Sequence, residues 1–319
     1  MTKLKIIYFG SPYYSVSLLE QIMRLGHQVS LVVSQGSNKA RRGKIVHTPI
    51  HEFCDKNNLK CILPNEFNDA TLEQISSIEA DLGIVYAYGK LIPQEIINAP
   101  RFGIMNLHCS LLPAYRGAAP IQHALINNET VTGVTYFEIN EKLDEGKIVL
   151  NEKYDIGEND NCTTIQNNLT SLAVKCCSEA IDKMCSKEYI QGLVITKPTY
   201  AKKIKKEDAD LNWNMNVRLI FNTIRALHQW PIARIDLYNE KIKILDASCV
   251  EKSHDYAFGS VISFNKNELV IAAKEGFLSI LKLQLEGKKP MTHRDLYNSR
   301  YPIKETLINN SVNISYKTL

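Results

Sequence analysis

The sequence predicts an α/β protein of two domains, a doubly wound, mostly parallel sheet domain followed by a small β-barrel domain. Over the first 189 residues, almost wholly apolar β runs alternate with helical segments, which is typical of a parallel sheet covered on both faces. After residue 230, short β runs recur about every ten residues, which is typical of a small antiparallel barrel. A chain of 319 residues also has a two-domain length. We therefore predict domains at 1–189 and 208–319, joined by a basic linker at 190–207.

The elements of the first domain follow from the spacing of their apolar residues. A turn at Gly10-Ser11-Pro12 separates the first strand from the first helix. Nearly continuous apolar runs predict strands at 3–9, 29–33, 80–88 and 103–107, and a later strand pair at 132–139 and 148–156. Helical spacing predicts helices at 15–25, 72–78, 94–97 and 162–184. In such sheets ligands bind beyond the carboxyl ends of the strands, here near residues 86–89 and 106–113.

The linker and the second domain begin where Thr196-Lys197-Pro198 breaks the helical pattern. A helix is predicted at 215–227, and Trp230-Pro231 ends it. The β runs of the barrel lie at 233–237, 241–247, 259–263, 269–273 and 278–284.

Charge is distributed unevenly between the two halves of the chain. Residues 1–189 hold 18 Lys and Arg against 21 Asp and Glu, whereas residues 190–319 hold 20 against 13. A basic second half favours a polyanionic macromolecular substrate, and a merely soluble basic domain is the alternative.

The cysteine and hydropathy patterns restrict the compartment and the kind of site. No cysteine spacing forms CxxC or a Cys/His zinc pattern, so the eight cysteines are predicted to be reduced thiols. No apolar run approaches the ~20 residues of a membrane span, and no signal peptide is evident, so we expect a cytoplasmic protein. As a separate expectation, we take it to be a monomer. Neither GxGxxG nor GxxxxGK[ST] occurs, which argues against a nucleotide cofactor.

The candidate catalytic groups are Asn106, His108 and Asp144. Residues two apart on a strand share a face, so Asn106 and His108 are predicted to point into one cleft. An amide donor, an imidazole and a carboxylate suffice for acyl-type transfer through an oxyanion. Asp144 either orients and charges the imidazole or takes the proton that an attacking amine releases. Cys109, between His108 and Ser110, would face away from the imidazole and is not predicted to be a nucleophile.

The same residues carry a family resemblance. Asn106-Leu107-His108-Cys109-Ser110-Leu111-Leu112-Pro113, followed by Tyr115-Arg116-Gly117 and Leu143-Asp144-Glu145-Gly146, resembles the signature of the folate-dependent formyltransferases. These enzymes use an Asn, a His and an Asp to move a formyl group from 10-formyltetrahydrofolate to an amine. Within the family, the resemblance is closest to members that formylate the α-amine of initiator methionyl-tRNA, and it covers nearly the whole chain. It implies a Rossmann-like first domain, an OB-like barrel, and neither a metal nor a nucleotide cofactor.

The resemblance also implies ligand contacts. The folate co-substrate would bind at the strand ends and at the loop after Asn106, where Arg116 and Gly117 would hold the loop in shape; the contact residues are Ser110, Leu111, Leu112, Pro113, Val85, Tyr86 and Tyr88. The tRNA would contact the basic loop after the second strand, the linker and the barrel, through Arg41, Arg42, Lys44, Lys202, Lys203, Lys205, Lys206, Lys288 and Lys289. Arg42 matches a functional arginine of the family's loop, although Gly36-Ser37-Asn38 and Arg41 depart from its usual sequence.

Other functions stay open at the level of sequence. A formyltransferase of the same chemistry could act on glycinamide ribonucleotide or on an amino sugar, and a hydrolase with the same three residues could release formate from formyltetrahydrofolate. The basic second domain argues against glycinamide ribonucleotide as the acceptor, and the missing GxGxxG argues against an amino sugar. A pure RNA-binding module is a further alternative, which the intact catalytic residues disfavour.

Overall fold

The computed structural model describes residues 2–36, 38–39, 45–190 and 197–312 of the chain. Its residues form two compact units. The first comprises 1–120, 131–155 and 166–200, and the second comprises 121–130, 156–165 and 201–319. Within the described ranges, no helix is long and apolar enough to span a membrane.

Among the described residues before 156 there are ten strands: β1 (Lys5–Gly10), β2 (Gln28–Val33), β3 (Asn38–Lys39), β4 (Ile45–Val46), β5 (Cys61–Ile62), β6 (Leu82–Tyr86), β7 (Ile104–His108), β8 (Arg116–Gly117), β9 (Val131–Glu138) and β10 (Ile148–Asp155). Seven of them form one sheet in the order β10-β9-β7-β6-β1-β2-β5. The five from β7 to β5 run parallel, while β9 and β10 are antiparallel additions at one edge. Because β1, β6 and β7 are central and covered on both faces, their residues are almost all buried.

In the same described part of the chain and just after it, the helices are α1 (Tyr13–Arg24), α2 (Pro49–Asn57), α3 (Asp69–Ser76), α4 (Gln94–Ile97), α5 (Pro120–Ile126) and α6 (Cys162–Ser186). Helix α1 buries Leu18, Leu19 and Ile22, residues spaced as one helical face requires. Helix α2 starts at a capping threonine, since Thr48 Oγ1 accepts a hydrogen bond from the His51 backbone N–H.

The remaining elements are β11 (Tyr200–Ala201), a 3₁₀ turn (Glu207–Ala209), β12 (Asp210–Leu211), α7 (Val217–Ala226), β13 (Arg234–Leu237), β14 (Glu240–Glu251), β15 (Val261–Phe264), β16 (Leu269–Ala273), β17 (Gly276–Leu285), β18 (Met291–Thr292), α8 (His293–Asn298) and α9 (Pro302–Asn309). Strands β12 to β17 pair in the order β12-β13-β14-β17-β16-β15, and β18 pairs with β17. All of these pairs are antiparallel except β12 with β13. One core cluster joins this sheet to α7, α8 and α9, with Ile220 and Leu307 fully buried in it.

A buried arginine holds the second unit together. The Arg225 guanidinium donates to the backbone carbonyls of Gly157, Glu158 and Asp160, and to the Asn222 side chain. Burial lowers the pKa of Arg225, yet four acceptors offset the cost of removing the charge from water. The segment 156–165 is therefore fixed to α7, although it lies far from that helix in sequence.

The predicted fold class is confirmed: a mostly parallel α/β sheet domain precedes a separate sheet that is rich in antiparallel pairs. The predicted strands and helices agree with the observed ones to within a few residues, whereas the two-residue strands β3, β4, β5, β8, β11, β12 and β18 were not predicted. Helices α2, α5, α8 and α9 were not predicted, because each is only six to nine residues long, too short for a clear helical period. In α2 the buried residues are only Ile50 and Cys54, too few to reveal a period.

Candidate active site

Strand β7 carries two of the three predicted catalytic residues. Asn106 pairs with Val85 of β6 on one side and with Phe137 of β9 on the other, and His108 pairs with Thr135. Alternation along the strand places Asn106 and His108 on one face of the sheet. Asn106 is half-buried, while His108 is only 7% exposed. The strand therefore presents an amide and an imidazole side by side at its carboxyl end.

The His108 ring contacts groups on both of its nitrogen atoms. Nε2 lies 2.9 Å from the backbone oxygen of Tyr115. Because a carbonyl oxygen only accepts, this hydrogen bond requires a hydrogen on Nε2. Nδ1 lies 3.9 Å from Oδ2 of Asp144, and both side chains are largely buried. Nδ1 is thus the ring nitrogen left for proton exchange beside a carboxylate.

Asp144 reaches His108 from the loop between β9 and β10. Its φ of +51° is in the left-handed region, which Asp tolerates better than most side chains. The Gly117 backbone N–H donates to Asp144 Oδ2 at 2.8 Å. The structure therefore brings Asn106, His108 and Asp144 to one place, as the predicted site requires.

The loop after β7 is shaped by hydrogen bonds around Ser110 and Thr135. Ser110 Oγ donates to the Ala114 backbone oxygen at 2.6 Å, and Thr135 Oγ1 donates to the Ser110 backbone oxygen at 2.6 Å. The same Thr135 hydroxyl accepts the Leu112 N–H at 3.1 Å. Leu112 is buried, whereas Leu111 and Pro113 are half-exposed. These bonds fix an apolar wall next to His108.

The predicted contacts on β6 lie on two different faces of the sheet. Val85 and Tyr88 belong to the apolar cluster that also contains Ile104, on the Asn106 face. Burial raises the pKa of Tyr88 to about 12. Tyr86 lies on the opposite face, where its hydroxyl is within 2.8 Å of Thr170 Oγ1 and accepts from the Gln166 amide. The structure therefore does not bring the Tyr86 side chain to His108.

Cys109 lies on the same side as Tyr86. It is buried, and its thiol is 3.7 Å from the Tyr86 hydroxyl. Burial raises the pKa of the Cys109 thiol, which disfavours the reactive thiolate. A nucleophilic role for this residue has no support in the structure.

A cleft of about 460 Å³ adjoins the loop that carries Asp144. Its lining includes Ile97, Ile104, Ile139 and Asn140, and the last two lead into that loop. The volume is in the range of small-molecule sites, but more than half of the lining residues are polar or charged, among them Arg101 and Lys147, and the three candidate catalytic residues are not part of the lining. None of the four residues Ile97, Ile104, Ile139 and Asn140 was predicted as a contact, because a single isoleucine in a helix or strand, or an asparagine in a loop, carries no sequence signal of ligand binding.

The residues predicted to contact tRNA are only partly described by the structure. Arg41, Arg42 and Lys44 lie outside the described residues. In the second unit, all six of the predicted lysines are exposed: Lys202, Lys203, Lys205, Lys206, Lys288 and Lys289. The Lys288 ammonium lies 5.3 Å from the centre of the Tyr301 ring. In the part of the chain that is described, no group of His, Cys, Asp and Glu side chains could hold a metal ion.

Sequence reasoning missed three residues that support the site. Thr135 shapes the 110–112 loop, as described above. Thr199 accepts the Tyr115 N–H on its hydroxyl and the Arg116 N–H on its backbone oxygen, at 2.8 and 2.9 Å. Glu145 forms an ion pair with Arg116 at 2.6 Å. Only Glu145, as the neighbour of Asp144, could have been noticed in the sequence.

Comparison with known proteins covers both units. The family described as "Formyl transferase" matches residues 3–181, and "Formyl transferase, C-terminal domain" matches residues 203–301. A methionyl-tRNA formyltransferase of Thermodesulfovibrio yellowstonii is 39% identical over 302 residues, which is 92% of this chain and 96% of the relative. Enzymes of the same name are 35% identical over 303 residues in Fusobacterium nucleatum, with 93% and 97% covered, and 36% identical over 313 residues in Flavobacterium johnsoniae, with 93% and 96% covered.

Solved structures share the fold at lower identity. The sugar 3N-formyl transferase WlaRD, solved in the presence of dTDP and 5-N-formyl-THF, aligns with a TM-score of 0.66 and 21% identity, covering 91% of this chain and all of that one. HypX from Aquifex aeolicus in complex with tetrahydrofolic acid aligns with a TM-score of 0.62 and 17% identity. That alignment covers 93% of this chain and 47% of HypX, so the chain spans about half of HypX. From the two family matches and the full-length relatives, the chain belongs to the formyl transferase family.

Proposed function

We propose that this enzyme transfers the formyl group of 10-formyltetrahydrofolate to the α-amine of initiator methionyl-tRNA. The observation that carries the proposal is the meeting of Asn106, His108 and Asp144 at the carboxyl end of β7. The choice of acceptor is supported by relatives of that name, which are 32–39% identical and align over both units. Because the acceptor is an aminoacylated tRNA, the reaction would take place in the cytoplasm.

The proposed reaction begins with attack of the unprotonated methionyl amine on the formyl carbon. A C–N bond forms and the carbonyl oxygen becomes an oxyanion, to which the Asn106 amide donates. The N10–carbon bond of the folate then breaks. The proton that the amine loses passes through the His108 Nδ1–Asp144 pair and ends on N10, so the products are formylated methionyl-tRNA and tetrahydrofolate.

The folate would bind on the Asn106 face of the sheet. The wall formed by Leu111, Leu112 and Pro113 offers apolar surface, and Val85 and Tyr88 lie on the same face as Asn106. The cleft beside the Asp144 loop has a volume of about 460 Å³, in the range of small-molecule sites, and Ile97, Ile104 and Ile139 are part of its lining. The Ser110 loop is fixed by Thr135, so this surface is preformed.

The tRNA would be held by positive charge in the second unit and by the basic loop at 41–44. The exposed lysines of the linker and of the segment at 288–289 can neutralise phosphates. In this assignment residues 1–189 form the catalytic domain, 190–207 link the two domains, and 208–319 form the tRNA-binding domain. The enzyme would act as a monomer. Formyl transfer to another amine and release of formate are the competing outcomes.

The decisive experiment offers three acceptors to the same enzyme. The enzyme is incubated with 10-formyltetrahydrofolate and with methionyl-tRNA, glycinamide ribonucleotide or water alone, and His108→Ala protein serves as the control. We expect formyl incorporation into methionyl-tRNA only, without a need for ATP and undiminished by a chelator. Comparable formylation of glycinamide ribonucleotide, or formate release at the same rate, would contradict the proposed acceptor.

A further inference from the structure

The loop that carries Asp144 is attached at two successive residues. The carboxylate of Asp144 accepts the Gly117 N–H at 2.8 Å, and the carboxylate of Glu145 accepts from Arg116 Nη1 at 2.6 Å. Arg116 and Glu145 are 14% and 33% exposed, so their ion pair is partly shielded from water. Such a pair is stronger than one on the open surface.

The segment that receives both contacts also holds His108. The Tyr115 backbone oxygen accepts from His108 Nε2, and Tyr115 itself has a left-handed φ of +59°. Thr199 anchors the segment from the other side through the N–H groups of Tyr115 and Arg116. Three consecutive residues, 115 to 117, therefore fix His108, Asp144 and Glu145 relative to one another.

Asp144 needs such an attachment because its own geometry is weakly determined. Its φ of +51° is uncommon for a residue with a side chain, and its carboxylate is 3.9 Å from His108 Nδ1, longer than a hydrogen bond. The Gly117 N–H gives the loop one attachment to the 115–117 segment, and the ion pair at the next residue gives it a second.

We propose that Arg116 and Glu145 are positioning residues, whose ion pair sets the place of the Asp144 carboxylate beside His108. This inference rests on the proposed function, since it assigns Asp144 to the proton transfer. Lys142 also approaches Glu145, at 3.8 Å, but it is 76% exposed and lies on the same loop, so it cannot tie the loop to another segment.

The kinetic experiment compares Glu145→Gln, Arg116→Gln and the double variant with Lys142→Gln as the matched control. We expect Glu145→Gln to lower kcat about tenfold while the KM values for both substrates change less than about twofold, because only the position of a reacting group is disturbed. The double variant should be no worse than either single variant. Equal losses in Lys142→Gln and Glu145→Gln, or independent losses in the double variant, would overturn the proposal.

A second measurement does not depend on activity. The ¹⁵N resonances of the His108 ring, assigned with His108→Gln, should shift in Glu145→Gln and Arg116→Gln but not in Lys142→Gln. If the acceptor assay fails in the wild type while these shifts occur, the proposed function is wrong and the positioning role holds. Unchanged His108 resonances in Glu145→Gln would overturn the positioning role, whatever the enzyme formylates.

Loss of folding is excluded with a milder variant. Arg116→Lys keeps the charge but loses the planar, two-pronged donor geometry of Arg. It should retain the wild-type melting temperature to within a few degrees and still lower kcat. A wild-type kcat in Arg116→Lys, together with unshifted His108 resonances, counts against the proposal.

Discussion

At the scale of single residues, the site depends on which His108 nitrogen carries which contact. Tyr115 fixes the hydrogen on Nε2, and Asp144 faces Nδ1. Either nitrogen of a free imidazole can carry the proton. Here the fold distinguishes them, because Nε2 donates to a backbone oxygen and Nδ1 faces a carboxylate. Asn106 adds a donor from the same strand face, two residues away.

Removing the side chain of any of the three candidate catalytic residues should lower kcat strongly. We expect Asn106→Ala, His108→Ala and Asp144→Ala each to lower kcat by at least about a hundredfold, because an oxyanion donor or a proton-transfer group contributes on that order. Steady-state kinetics with circular dichroism as a check on folding would measure this. His51→Ala on helix α2 is the control for losing an imidazole. Near wild-type turnover in any of the three would show that the residue does not act in the reaction.

At the scale of elements, α6 places a thiol deep in the first unit. Cys177 is fully buried near Tyr136 and Cys176, and burial raises its pKa to about 12. An exposed thiol titrates at about 8.5. Between these values the unfolded chain has lost the proton that the folded chain keeps, so stability falls as pH rises through this window.

Replacing the Cys177 thiol should reduce the loss of free energy of unfolding that occurs at alkaline pH. Between pH 8 and pH 10, the wild type should lose about 2 kcal/mol more free energy of unfolding than Cys177→Ala does, at ~1.4 kcal/mol per pKa unit. Urea unfolding at the two pH values measures the difference. Cys162→Ala is the control for losing a thiol from the same helix. Equal pH responses of the two variants would contradict the assignment to Cys177.

Helix α7 is the element that closes the core of the second unit. Ile220 is completely buried there, among residues of the antiparallel sheet. Ile220→Ala should lower the free energy of unfolding by about 2–5 kcal/mol, because it leaves a cavity. Leu281→Ala on β17, at a side chain that is 37% exposed, should change it by less than about 0.5 kcal/mol. Similar effects in the two variants, measured by chemical denaturation, would mean that α7 does not close the core.

At the scale of the whole molecule, the basic loop is predicted to position the acceptor end of the tRNA, and the lysines of the second domain are predicted to bind its phosphates. Phosphate contacts release counterions, so tRNA affinity should fall with salt, with a log–log slope of up to about −0.9 per phosphate neutralised. Arg42→Ala should lower kcat and raise KM, because the loop is predicted to seat the acceptor end near His108. Lys288→Ala with Lys289→Ala should mainly raise KM.

Kinetics of these variants at two salt concentrations separate the two roles. The folate KM serves as an internal control, since it should change little in either variant. If both variants raise only the tRNA KM, and by similar factors, the basic loop is no more than another patch of positive charge.

From the sequence by itself came the fold class, the longer strands and helices in their order, and the candidate catalytic groups Asn106, His108 and Asp144. Apolar runs such as Leu82–Tyr86 need burial on both faces. The two-residue period of a strand puts Asn106 and His108 on one face without knowledge of any distant residue. The motif around them could be recognised because its residues are neighbours in the chain. Short helices such as α2 were missed because they bury too little to show a period.

Only the tertiary structure decided how the site is held. The distance between Asp144 and His108, the hydrogen bonds of Thr199 to Tyr115 and Arg116, and the placement of Tyr86 on the far face depend on segments up to 84 residues apart. Left-handed backbone at Tyr115 and Asp144 likewise follows from contacts that the local sequence does not encode. Side-chain chemistry and period are local properties, whereas the position of one loop against another is set by packing of the whole unit. The sequence therefore named candidate reacting groups, and the packing decided which of their atoms face each other.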